Sequence, residues 1–80
     1  MFYAEVEGQR AVLNYRCKDG TMTILHTGVP PAIGGRGVAA DLTRKALEFA
    51  RSRQWKVRPL CSYAALFMRQ HPEFADLLAP

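Results

Sequence analysis

The sequence predicts an α+β fold: a mixed β-sheet with helices in the order β-β-β-α-β-α and a short helical turn at the C-terminus. Three observations carry this. Residues up to Val29 alternate in polarity with period two, interrupted by turn residues. From about Gly35 to Arg53 the apolar residues recur with period 3.6. A short apolar segment and a second helical pattern then follow. With 80 residues, the chain is expected to form one small domain spanning 1–80.

Phe2 to Glu7 reads as the first strand, with Phe2, Ala4 and Val6 on one face and Gly8-Gln9 as the turn. Ala11, Leu13, Tyr15 and Cys17 form one face of the second strand. Asp19-Gly20 is a strong hairpin signal, because both central positions of such a turn need positive φ. Thr21 to Val29 is the third strand, with Met22, Ile24 and His26 opposite Thr23, Leu25 and Thr27. Pro30-Pro31 ends it, since proline lacks the N–H that a ladder needs.

The long helix places Val38, Ala39, Leu42, Ala46, Phe49 and Ala50 on one stripe. Trp55 is expected to seal this helix against the sheet. Lys56 to Leu60 reads as the fourth strand. A right-handed crossover makes it parallel to the third and adjacent to it. Ser62 to Gln70 is the second helix, ending before Pro72, with Leu77 and Leu78 packing back. Both helix N-termini, and Cys61 with them, then open on one edge of the sheet, where ligands bind in sheets of this kind.

Composition narrows the function. The net charge is +4, and the basic residues gather between Arg36 and Arg58, which favours an anionic partner. No apolar run approaches the ~20 residues of a membrane helix, and residues 1–8 do not read as a signal peptide. Cys17 and Cys61 read as free thiols of a reducing, cytoplasmic setting, Cys17 as a structural residue on an apolar strand face. No Cys/His cluster has metal-ligand spacing, and aromatic residues are not interleaved with the cations as nucleic-acid stacking needs.

The run Gly34-Gly35-Arg36-Gly37-Val38-Ala39 stands where the third strand hands over to the long helix. Unpaired N–H groups and the helix dipole make such a junction a seat for phosphate. Glycine lets the backbone approach it, and Arg36 adds a cation. Cys61 precedes the second helix, where N–H groups and the dipole stabilise a thiolate; its alternative role is packing at the sheet edge. Histidine is the residue type suited to general-base chemistry near neutral pH, which makes His26 a candidate general base, set against a half-buried position beside Met22 and Ile24.

Four blocks in order, His26-Thr27-Gly28-Val29-Pro30, Gly35-Arg36-Gly37-Val38-Ala39, Pro59-Leu60-Cys61-Ser62-Tyr63 and His71-Pro72-Glu73-Phe74-Ala75-Asp76-Leu77, closely resemble the minimal acetyltransferase-like branch of the GNAT superfamily. The resemblance runs from about Leu13 to Leu78. It implies a minimal GNAT-like fold, acetyl-CoA as acyl donor and transfer to an amine, either a small molecule or a protein lysine. It places the CoA diphosphate on the backbone of Gly35 to Ala39, with Gly34 standing where the superfamily usually has Arg or Gln. Thr27, Gly28 and Val29 then pair with the pantetheine arm, and Ser62 and Tyr63 complete the cofactor-binding set.

Cys61 and His26 are the catalytic candidates, Cys61 as acetyl acceptor or as proton donor to the departing CoA. The superfamily's usual tyrosine acid aligns with Phe67, which has no proton to give; Tyr63 is the nearest substitute. The alternative function is a CoA- or acyl-CoA-binding module with little catalysis. A monomer or weak homodimer is expected, with a small or flat acceptor.

Overall fold

The structure is a computed structural model that describes residues 1–35 and 37–80. Strands β1 (Phe2–Val6), β2 (Gln9–Lys18) and β3 (Thr21–Gly28) precede helix α1 (Val38–Ser52). Strand β4 (Lys56–Pro59) and helix α2 (Ser62–Gln70) follow. Short 3-10 turns occupy Pro31–Ile33 and Pro72–Leu77. The four-stranded sheet has the order β1-β2-β3-β4. The first three strands form an antiparallel meander, and β4 lies parallel to β3, as the crossover rule requires.

Both hairpins use residues with positive φ. The first turn is Glu7-Gly8, with φ of 51° and 77°, one residue earlier than the sequence suggests. Val6 pairs with Gln9, so Gln9 already belongs to β2. Asp19-Gly20 makes the second turn, with φ of 52° and 75°. These conformations match the right-handed twist of the flanking strands.

The core lies between one face of the sheet and the two helices. Leu13, Met22, Ile24 and Val57 from the sheet meet Leu42, Ala46, Leu47 and Ala50 of α1, and Ala64, Phe67 and Met68 of α2. The fully buried stripe of α1 is Val38, Leu42, Thr43, Ala46, Leu47 and Ala50, while Ala39 and Phe49 flank it. Thr43 fits among apolar neighbours because its hydroxyl donates to the Ala39 carbonyl at 2.8 Å. Ile33, in the first 3-10 turn, is buried as well.

Helix α1 stops without a glycine. Gln54 takes φ 60°, while Gln54 N–H donates to the Arg51 carbonyl and Trp55 N–H to that of Ala50. This pattern satisfies carbonyls left open at a helix end. Trp55 then stacks edge-on against Phe49 at 5.5 Å, and Phe49 against Phe2. The C-terminal turn is clamped to α1 by Arg51, which grips both Asp76 carboxylate oxygens at 2.9 and 3.0 Å and the Glu73 carbonyl at 2.8 Å. Leu77 packs into the core. Leu78 does not: its side chain is exposed and its backbone instead bridges Val57.

Two sequence expectations fail here. Cys17 is exposed, although its cross-strand partner Met22 is fully buried. His26 is exposed and leaves the face of Met22 and Ile24. The register of β2 on β3 shifts between Asn14 and Tyr15, so Tyr15 pairs with Ile24 while Asn14 pairs with His26. Leu25 is the extra residue of a β-bulge. A bulge reverses the in–out alternation beyond it. His26 is thereby sent to the open face of the sheet, and Thr27 to the helix face.

Candidate functional site

The bulge prepares a cleft. Strands β3 and β4 pair from Thr21↔Lys56 to Ile24↔Pro59 and then part. The Ile24 carbonyl closes the paired region by accepting from Leu60 N–H at 3.0 Å and Cys61 N–H at 3.1 Å. Beyond it, Thr27 and Gly28 are bonded in the sheet to β2 alone. Parting parallel strands expose backbone groups that an extended ligand can pair with.

Cys61 stands at the mouth of this cleft as the N-cap of α2. Its Sγ lies 3.6 Å from the Thr27 hydroxyl. Burial pushes the Cys61 thiol up, yet its pKa falls below the usual thiol value. The backbone N–H groups of Ala64 and Tyr63, the Thr27 hydroxyl and the Thr27 N–H together favour the thiolate and outweigh desolvation. Thr27 is thus a positioning residue for Cys61, and only the bulge brings it to this face.

On the other side of the cleft, a cavity of about 300 Å³ is lined by Val29, Gly34, Gly35, Gly37, Val38, Ala39, Ala40 and Tyr63. It unites most of the sequence-selected binding residues. Gly35 and Gly37 have φ of 82° and 73°, and a Cβ at either would meet no protein atom. The loop needs glycine for its backbone conformation rather than for packing within the protein. Gly37 is the N-cap of α1, and the first intrahelical bond runs from Asp41 N–H to its carbonyl. The N–H groups of Val38, Ala39 and Ala40 therefore have no helical acceptor. The Gly34 N–H is already committed to the Pro31 carbonyl at 3.2 Å. Arg36 lies outside the described residues.

Tyr63 borders the cavity from α2, its pKa raised by burial and by the nearby Asp41 carboxylate. It stays protonated at neutral pH and can donate a hydrogen bond. Phe67, in contrast, is buried in the core, with His71 stacked on it at 3.9 Å. The His71 ring also bonds the Phe67 carbonyl at 2.8 Å, a structural cap for α2.

The chain matches the profile of the family described as GCN5-related N-acetyl-transferase over residues 1–77. The chain belongs to the GCN5-related N-acetyltransferase family. Among curated relatives, Protein NATD1 of Xenopus tropicalis is 32% identical over 74 residues, covering 89% of this chain and 68% of that one. Protein NATD1 of Homo sapiens is 34% identical, covering 89% of this chain and 66% of that one. The chain therefore spans about two thirds of the length of these relatives. The solution structure of a GCN5-like protein from Staphylococcus aureus superposes with a TM-score of 0.73 at 24% identity, covering 98% of this chain and 87% of that one. That likeness shows the fold, a GNAT-like mixed sheet with helices.

N-acetyl transfer from acetyl-CoA is the general activity of the family. The structure sorts the family-implied residues of this chain into groups. Val29, Gly34, Gly35, Gly37, Val38, Ala39 and Tyr63 share the cavity. Thr27 and Cys61 meet at the cleft. His26 is on the opposite face of β3, its ring folded over Gly28, where a Cβ would come within 3.0 Å of Nε2. Ser62 is exposed at the first turn of α2, outside the residues that line the cavity. The role of Thr27 as partner of Cys61 escaped sequence reasoning. Among the described residues no cluster of His, Cys, Asp and Glu can hold a metal, and no helix is long and apolar enough to cross a membrane.

Proposed function

We propose that this protein is an acetyl-CoA-dependent N-acetyltransferase in which Cys61 receives the acetyl group before an amine takes it. The observation that carries the reading is the placement of Cys61: an N-cap thiol, biased toward thiolate, where β3 and β4 part. The glycine loop supports it. Its unpaired N–H groups at Val38, Ala39 and Ala40 suit a diphosphate, and the open side of Gly35 and Gly37 leaves room for one. The freed edge of β3 at Thr27 and Gly28, apart from the Thr27 N–H that faces Cys61, suits the amides of the pantetheine arm.

Acetyl-CoA supplies an activated carbonyl held as a thioester. The Cys61 thiolate attacks that carbonyl; a new C–S bond forms to Sγ, and the bond to the CoA sulfur breaks, CoA leaving as a thiolate that takes a proton from water. The acceptor amine then attacks acetyl-Cys61, loses a proton, and restores the thiolate. Thr27 holds the negative sulfur through its hydroxyl and N–H. The exposed His26, across β3, is suited to taking the amine proton of a substrate arriving from the open face.

Thermal unfolding with CoA and acetyl-CoA, combined with intact mass, tests the reading. The wild type is expected to gain stability with both ligands and one acetyl group with acetyl-CoA. Cys61→Ser is expected to bind CoA and gain no acetyl. Binding without acetylation, and with no activity on any amine, points instead to a CoA-binding module. No stabilisation at millimolar CoA removes both readings.

A further inference from the structure

The open face of the sheet carries a basic groove. Strand register sets side chains into rows across it. Arg16, Thr23 and Arg58 form one row, and Lys18, Thr21 and Lys56 the next. All lie opposite the buried Met22 and Val57. In the first row the threonine lies between two groove-lining cations, Arg16 and Arg58; in the second only Lys18 lines the groove, because the Lys56 ammonium turns to the Asp76 carbonyl. The short threonines make the floor of a trough, and Arg16, Lys18 and Arg58 make its walls. A groove of about 360 Å³ is lined by Arg16, Lys18, Asp19, Thr21, Thr23 and Arg58. Among the described residues, none of Arg16, Lys18 and Arg58 pairs with a carboxylate, whereas Arg10, Arg44 and Arg51 all do. Lys56 is held by the Asp76 carbonyl at 2.7 Å.

We propose that this trough binds an acidic polypeptide segment, and, resting on the acetyltransferase reading above, that this segment belongs to the protein bearing the acceptor amine. Successive rows are two strand residues apart, roughly 7 Å, which is the same-face repeat of an extended peptide. Carboxylates at alternate positions of a bound strand therefore meet successive rows. The threonine hydroxyls can bond the peptide backbone between them. Asp19 at the rim opposes a continuous polyphosphate, and no aromatic ring lines the groove to stack a base, so a nucleic acid fits less well.

The trough also points at the chemistry. Thr23↔Arg58 is the row immediately before Ile24↔Pro59, the last pair before the cleft. His26 is the next open-face residue of β3 beyond the bulge. From Thr23 to Thr27 is roughly 13 Å of strand. A lysine about four residues from the acidic positions would reach the cleft from the face that His26 occupies.

The test uses a glutamate-rich peptide with one central lysine and its glutamine counterpart, measured by fluorescence anisotropy. Binding of the acidic peptide is expected to exceed that of the neutral one and to weaken with salt. Arg16→Glu with Arg58→Glu is expected to weaken it at least about tenfold, or ~1.4 kcal/mol. Arg16→Gln with Arg58→Gln should show a smaller loss. Both variants should keep the wild-type unfolding temperature and CoA-induced stabilisation, because neither residue touches the loop or Cys61. Equal binding of the two peptides, or binding indifferent to the variants, overturns the proposal. So does a short DNA duplex that binds as tightly as the acidic peptide. A wild type that binds the peptide but not CoA upholds the surface and defeats the acetyltransferase reading.

Discussion

Gly37 separates backbone cost from ligand recognition in one substitution. Its φ is 73°, and an added Cβ meets no protein atom within 4 Å. Gly37→Ala therefore introduces no clash; it forces an L-residue into the left-handed region, which costs roughly 1–2 kcal/mol. The unfolded chain becomes stiffer as well, which offsets about 0.4–1 kcal/mol. A net loss of ~1 kcal/mol lowers Tm by roughly 4–8 °C in a domain of this size. Gly20 provides the control, since it has φ 75° in the second hairpin and equally open surroundings. Gly20→Ala should lower Tm by a similar amount. The two variants diverge when acetyl-CoA is added. Ligand at about a hundred times its Kd contributes roughly 2.7 kcal/mol, a rise well above the variants' losses. Gly20→Ala should retain that rise, and Gly37→Ala should lose most of it, because its methyl group stands on the open side of the loop. Differential scanning fluorimetry with and without acetyl-CoA reads all of this. Equal ligand shifts in the two variants would refute the placement of the diphosphate on the α1 N-terminus.

Further outcomes follow from the same geometry. Thr27→Val removes a hydroxyl that stabilises the Cys61 thiolate, so the pH profile of Cys61 alkylation by iodoacetamide should move to higher pH, while Cys17 alkylation is unchanged. Leu47→Ala opens a cavity in the fully buried stripe of α1 and should cost about 2–5 kcal/mol, read as a lower midpoint in urea unfolding. The hydrogen-bonded Arg51 guanidinium holds the Asp76 carboxyl below its usual range, with slight desolvation opposing it. A depressed folded pKa contributes stability above the unfolded value of about 3.9 and loses it as pH falls through the folded pKa. Asp76→Asn should thus be less stable than wild type at neutral pH and show a shallower loss below about pH 4, as measured by acid titration of ellipticity.

Much of the fold is legible because local signals agree. Asp19-Gly20, Pro30-Pro31 and Pro72 mark boundaries through fixed backbone preferences. Helix α2 occupies the residues that its pattern gives, Ser62–Gln70, and the parallel pairing of β3 with β4 follows from crossover handedness. The bulge at Leu25 has no such signal. No glycine or proline marks it, and it arises from the pairing of β3 with β2. Its effect on the site is large, because it exchanges His26 and Thr27 between faces. The end of α1 is hidden for a similar reason: Gln54 takes a conformation that glycine usually fills, stabilised by Trp55 packing on Phe49. The basic trough is invisible in sequence, since Arg16, Lys18 and Arg58 are brought together only by strand register. The placement of Gly37 and Cys61 at helix starts was readable because glycine and proline punctuation and the apolar period mark where α1 and α2 begin.

The central claim is that acetyl-CoA lies along the glycine loop and enters the cleft between β3 and β4. Titration of acetyl-CoA into isotope-labelled protein, followed by amide NMR shifts, tests it most directly. The account predicts the largest shifts at Gly35, Gly37, Val38 and Ala39, with further shifts at Thr27, Gly28 and Cys61, and little change at Arg16, Lys18 and Arg58. Unmoved loop amides, or largest shifts in the basic trough, would contradict it.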